Sequence, residues 1–245
     1  MRTAEHKKDL IDSMRKEILK LEGFKFSPEG AAVDFGLGGL VEAFPNGQFP
    51  TGAIHEFIGT SMEDAASTGG FTAALLSVLM KDKGICIYVS AQRKLFPPAL
   101  ARFGLSPDRM VFIDLGAEKD VLWATEEALK CESLSAVVME IDQISFAQSR
   151  RLQLVVEKSK VSCFIIRRNA EKLSSTTTVA RWQISALSSE TIGGMPGLGF
   201  PRWKVELLKV KNGKPGNWEM EYVAGGFRLL ELEPEVVAIK ERKVV

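Results

Sequence analysis

At 245 residues, with 45% hydrophobic and 26% charged side chains, the chain has the composition of a soluble folded domain and is long enough to bury a sizeable core. A formal net charge of +1 gives no global signal for nucleic acid. Three cysteines without CxxC spacing argue against a zinc site or a disulfide framework and suit a reducing compartment. The charge is uneven: residues 1–144 carry 15 Lys/Arg against 21 Asp/Glu, net −6, and residues 145–245 carry 17 against 10, net +7, so the second half presents either a polar partner surface or a solvated basic face.

The charged N-terminus lacks the apolar stretch of a signal peptide and no run reaches bilayer length, so a cytoplasmic protein without membrane contact is expected. Residues 3–22 predict an amphipathic helix with Ile11, Met14, Ile18 and Leu21 on one face, packed on its own domain rather than in a coiled coil. The Gly- and Pro-rich segment 34–52 reads as a loop. Strands are then expected at 53–58, 85–90, 110–115, 135–141 and 161–167, with helices at 71–84, 97–104, 120–130 and 145–160 between them. This alternation predicts an α/β fold with a mainly parallel sheet buried on both faces. Cys86 and Cys163 fall in apolar stretches, where a buried thiol is the default. After a polar loop at 169–178 the style changes. A strand at 179–185 and a Gly-rich loop at 193–201 precede strands at 202–210 and 217–223, which alternate by twos around KNGKPG and predict an antiparallel hairpin. The expected divisions are an N-terminal helix and linker (1–34), a core (35–223) and a C-terminal tail (224–245).

The stretch HEFIGTSMEDAASTGGFTAALL, residues 55–76, reads as strand, glycine-bearing loop and helix, where a phosphate-cradling loop would sit. Gly59 would open that loop and Gly69–Gly70 would close it. The segment between is longer than the phosphate-loop spacer, has no lysine, and adds Glu63 and Asp64, whose charge repels polyphosphate; Ser67, Thr68 and Thr72 remain as hydroxyls. Glu140 ends an apolar strand, where a magnesium-orienting acid sits in nucleotide hydrolases, although such an acid also serves as a helix cap or faces solvent. His6 and His55 form no catalytic pair, and no metal-ligand cluster appears.

In order, GLGGLVEAF, FPTGAIHEFIG, FTAALLSVLM, GICIYVSAQ and SAVVMEID resemble the RecA core. More narrowly, LFPPALARFGLSPDRMVFI (95–113), SRRLQLVVEKS (149–159) and PRWKVELLKVKNGKPGNWEMEY (201–222) resemble the ImuA family, RecA-like proteins of bacterial mutagenesis cassettes, over roughly residues 35–223. The resemblance implies a RecA-like core whose phosphate loop is degenerate around Ser67–Gly70. It places Gln92 where RecA has the acid that activates water, and Glu140 at the acid of the third strand. A glutamine cannot take a proton as a carboxylate does.

What the resemblance implies is a non-enzymatic accessory protein of SOS-induced translesion synthesis, without bound ATP or magnesium. Its implied partners are an ImuB-like polymerase homologue, an error-prone replicative polymerase and RecA. Arg150, Arg151, Arg167, Arg168, Lys172, Arg202 and Trp203 are the candidate contacts with partner or single-stranded DNA, and Arg181, Trp182 and Trp218 are further candidates for base stacking. Two alternatives stay open: a SulA-like inhibitor of cell division that binds FtsZ, and a residual nucleotide-binding ATPase drawing its cation from Arg93 or Lys94.

Overall fold

Short runs of β-branched and aromatic residues, each closed by Gly, Pro or a polar residue, become the strands of one nine-stranded sheet. The computed structural model describes residues 33–81, 84–93, 95–168, 174–190 and 199–230, together with His6, Leu10, Ser13, Met14 and Glu17. In chain order the elements are β1 (Ile54–Ile58), α1 (Met62–Leu79), β2 (Cys86–Ser90), a 3₁₀ segment (Pro97–Phe103), β3 (Met110–Asp114), α2 (Glu118–Leu129), β4 (Ala136–Ile141), α3 (Phe146–Ser159) and β5 (Ser162–Arg167). They are followed by β6 (Ala180–Leu187), β7 (Arg202–Val210), β8 (Gly216–Val223) and β9 (Gly226–Leu230).

The strand order is β3-β2-β4-β5-β1-β6-β7-β8-β9. From β3 to β6 all neighbours are parallel, and β7, β8 and β9 extend the sheet antiparallel. The mixed α/β architecture expected from the sequence is therefore the one observed. The parallel strands are buried throughout their centre, whereas β7 alternates, sending Trp203, Val205 and Leu207 inward. One apolar layer joins α1 and the 3₁₀ segment to the sheet; the other packs α2 and α3 on the opposite face. Cys86 and Cys163 are both fully buried, and burial pushes each thiol up to about 12.

Four details differ from the sequence reading. Helix α1 starts at Met62, well before residue 71: the Ser61 hydroxyl accepts from Asp64 N at 3.0 Å, and Glu63 and Asp64 lie in the first turn, so the helix nucleates before its glycines. The 34–52 connector contains two 3₁₀ turns, Gly38–Ala43 and Pro45–Gly47. It also donates Phe35, Leu37, Leu40, Phe44 and Phe49 to the core. Residues 226–230, assigned to the tail, form β9. The Ala224–Gly225 turn has positive φ at both residues, 51° and 83°, a hairpin geometry that alanine disguises. Phe227 thereby reaches Phe71, with ring centroids 5.2 Å apart.

In the N-terminal segment, His6, Leu10, Ser13, Met14 and Glu17 are helical as expected. Of the expected apolar face only Met14 is described, and it is more than half exposed, so the expected packing is absent there; Ile11, Ile18 and Leu21 lie outside the described residues. Lys94, Lys172, residues 191–198 of the Gly-rich loop and the tail beyond Leu230 lie outside the described residues.

Candidate functional site

Parallel α/β sheets bind ligands beyond the carboxyl ends of their strands, and a cavity of about 660 Å³ opens there. Its walls come from the start of α1 (Gly59 to Gly70) and from Leu95 to Phe103; Tyr88, Glu140, Ile166 and Arg168 line it from the ends of the strands.

The loop between β1 and α1 spans only Gly59 to Ser61. Asp64 folds back over it, accepting from the Thr60 hydroxyl at 2.7 Å and from the Thr60 amide at 3.4 Å, while Ser61 caps the helix. A carboxylate thus occupies the helix N-terminus that a phosphate would need. Ser67, Thr68, Gly69 and Gly70 do not close a loop, as the sequence suggested; they form the second and third turns of α1. Thr68 is fully buried and its hydroxyl has no partner. Thr72 uses its hydroxyl on the backbone, donating to Thr68 O at 2.7 Å. The glycines admit a close neighbour: a Cβ on Gly70 would lie 2.9 Å from Phe103 and 3.2 Å from Trp203.

Glu140 lies at the end of β4, 6% exposed, with one carboxylate oxygen paired to Arg168; the other oxygen and Arg168 Nε are both buried without partners. Burial pushes the Tyr88 phenol up to about 12, so it stays a donor. Gln92 is exposed beyond β2 and does not line the cavity. Neither does Arg93, which pairs with Asp114 at 3.3 Å and stacks on Phe112 at 4.8 Å. Among the described residues no three His, Cys, Asp or Glu side chains gather as a metal site, and no helix is long and apolar enough to cross a membrane.

The candidate contact residues scatter. Arg167 is a correction: it is fully buried, with Nη1 donating to Glu56 at 3.0 Å, Nη2 to Gln143 at 2.8 Å and Nε to the Asp142 carbonyl at 3.2 Å. Glu56 also takes Arg181 Nε at 2.9 Å and the Thr176 hydroxyl at 2.7 Å. Burial alone would raise the Glu56 pKa; the Thr176 hydroxyl and the two guanidiniums outweigh it and hold the group below its ordinary value. Trp203 and Trp182 are likewise core residues, 3% and 0% exposed, so neither offers a ring to a base, and Trp218 packs partly buried against the core. Arg202 bridges Glu221 at 2.8 Å and Glu190 at 2.7 Å, which raise its pKa. Among the described candidates only Arg150 and Arg151 stay well exposed. Arg150 donates to Gln153 at 2.9 Å on its own helix, and Arg151 reaches Glu126 of α2 at 2.6 Å. The sequence pattern assigns no site role to Glu56 or to the cavity wall at 95–103. The signal available was an acid inside β1 and arginines ending β5, buried charges that must find each other.

A sheet with this strand order, helices on both faces and antiparallel strands beyond β6 defines a RecA-like core. No family model matches the sequence. Over 206 residues the chain is 29% identical to the protein ImuA of Caulobacter vibrioides, in strains CB15N and CB 15, covering 79% of this chain and 84% of the relative. The chain is thus a distant homologue of ImuA.

Proposed function

We propose that this chain is a non-hydrolysing accessory protein in induced mutagenesis, acting by protein contacts in SOS-dependent translesion synthesis. Its partners are an ImuB-like polymerase homologue, an error-prone replicative polymerase and RecA. The kinship with ImuA supports the role in mutagenesis. The loss of hydrolysis rests on one observation: the start of α1 is closed by its own Ser61 and Asp64, leaving a carboxylate where polyphosphate would bind. Gln92 outside the cavity and Glu140 engaged by Arg168 agree with that reading.

A thermal shift with ATP, ADP and a non-hydrolysable analogue, each with magnesium, tests it. A nucleotide at a hundred times its dissociation constant adds about 2.7 kcal/mol, on the order of 5–10 °C for a domain of this size. No shift is expected with any of them, and a shift of that size with ATP overturns the non-enzymatic reading. Co-expression with the polymerase-like partner is expected to yield a co-purifying complex; no complex with that partner or with RecA overturns the accessory role.

A further inference from the structure

Every described arginine in the second half of the chain is ion-paired to a carboxylate, and Lys204 pairs with Glu206. Lys158, Lys160, Lys209 and Lys214 have no ion pair among the described residues, and they gather at the end of the sheet where the parallel strands begin, opposite the cavity. A run of backbone hydrogen bonds crosses that end: Cys163 N–H donates to Ala53 O at 2.9 Å, Val179 N–H to Ile54 O at 2.9 Å and Lys211 N–H to Val179 O at 2.7 Å. Lys160 at the head of β5 is thus three strand spacings, about 14 Å, from Lys209 and Lys211 at the end of β7. Lys214 continues the row in the β7–β8 hairpin, its N–H donating to Ala43 O at 2.9 Å, and Lys158 stands in the last turn of α3. Lys158 and Lys214 are exposed, and the other three are partly so.

The negative end of the α3 dipole accounts for Lys158 and Lys160. It does not account for the lysines of β7 and its hairpin. Lys209 stands opposite Arg181 in the β6–β7 ladder, two like charges side by side, and burial together with that guanidinium lowers its pKa. Of the carboxylates nearby, Glu157 is held by Arg150 and Gln153, and Glu42 is exposed in the 3₁₀ turn that ends at Ala43. The row therefore carries positive charge in excess. Lysines meet phosphate as flexible point charges, whereas planar carboxylates favour the arginine fork. The KNGKPG hairpin has no aromatic side chain to stack on a base, so phosphates rather than bases are the groups it suits.

We infer that this end of the sheet, Lys160, Lys209, Lys211 and Lys214 with Lys158 beside them, lies against the phosphodiester backbone of nucleic acid and binds it without reading sequence. The inference stands independently of the accessory role.

Fluorescence anisotropy of the full chain with labelled oligothymidylate and with a labelled duplex tests the surface. At low salt a dissociation constant on the order of 10 µM is expected, and log K should fall against log salt with a slope of about −3 on the single strand, as four lysine contacts require. Lys160→Asn with Lys214→Gln should weaken binding roughly tenfold and bring the slope to about −1.4. Asparagine suits the positive φ of 62° at Lys160, so this variant keeps the fold. Lys160→Arg with Lys214→Arg should bind as the unaltered chain does, and so should Arg150→Gln with Arg151→Gln. No binding of either nucleic acid at low salt, binding unchanged by the neutral pair, or binding lost instead with the Arg150 and Arg151 pair overturns the inference. Polyglutamate that competes as well as the oligonucleotide at equal charge points to an acidic polypeptide and overturns the assignment to nucleic acid.

Discussion

Glu56 sits fully buried in the middle of β1 between two guanidiniums, Arg167 and Arg181. Removing it leaves two buried cations around a void, so Glu56→Ala should destabilise by about 3–5 kcal/mol, readable as a drop in the urea midpoint. His55, its neighbour in the strand, faces the other layer. Its Nε2–H donates to the Pro50 carbonyl at 2.7 Å, and its Nδ1 accepts from Trp182 at 3.3 Å, a neutral tautomer. Burial lowers its pKa to about 4 against an ordinary 6.5, despite the opposing Pro50 bond. Above 6.5 neither the folded nor the unfolded ring is protonated; between 6.5 and 4 only the unfolded one takes the proton. Stability should therefore fall by about 3 kcal/mol as pH drops through that window, and the depressed Glu56 adds its own loss once the unfolded carboxyl starts to take a proton near 4.5. Unfolding in urea from pH 7 to pH 4 measures the slope, and His55→Gln should flatten it. The sequence pattern does not single out the acid inside β1, and it makes Arg167 a candidate surface contact. An apolar strand that ends in arginine looks the same whether the guanidinium turns outward to solvent or inward to an acid more than a hundred residues away.

Helix α1 carries adjacent glycines that differ in what surrounds them. A Cβ on Gly69 meets nothing nearer than Leu95 at 3.9 Å, while one on Gly70 presses on Phe103 and Trp203. Gly69→Ala should gain about 0.5–1 kcal/mol through helix propensity, and Gly70→Ala should lose about 1 kcal/mol because displacing two rings outweighs that gain. Thermal unfolding of the two variants checks both signs. These glycines also explain why the start of α1 was misplaced: they resemble the closing residues of a phosphate loop. The Ser-x-x-Asp signal of a helix N-terminus at Ser61 was present in the same stretch. Elsewhere the elements were legible because their periods are unmixed. The apolar runs of β2, β4 and β5, the alternation of β7 and the Ser-x-x-Gln capping box of α3 each specify one local structure. Glu140 was legible as a site residue for the same reason, an acid at the tip of an apolar strand, whereas its partner Arg168 in the cavity follows only from the sheet order.

Across the whole molecule, the antiparallel extension closes the α1 layer. Phe227 of β9 lies against Phe71, Trp203 and Tyr222, with centroids 5.2, 6.2 and 5.6 Å away. Phe227 is half-buried, so Phe227→Ala should cost about 1–2 kcal/mol, less than a fully buried phenylalanine, in a chemical melt. The cluster lies behind the cavity wall, because Trp203 and Phe103 pack together at 6.2 Å and Phe103 also lines the cavity. The division of charge between the two halves reads differently in three dimensions. Much of the basic excess of the second half is spent on ion pairs such as Arg167–Glu56, Arg168–Glu140 and Arg151–Glu126, which cross to acids of the first half.

The position of β1 sets a schedule for synthesis. Its two neighbours in the sheet are β5 and β6, so Ile54 waits for Cys163 and Phe57 for Trp182. During translation this apolar central strand stays without either partner while more than a hundred further residues emerge, on the order of ten seconds at ordinary elongation rates. The nascent chain therefore passes through a long interval with a central strand unpaired on both edges, and its yield in a cell should depend on chaperones that cover an unpaired strand during that interval.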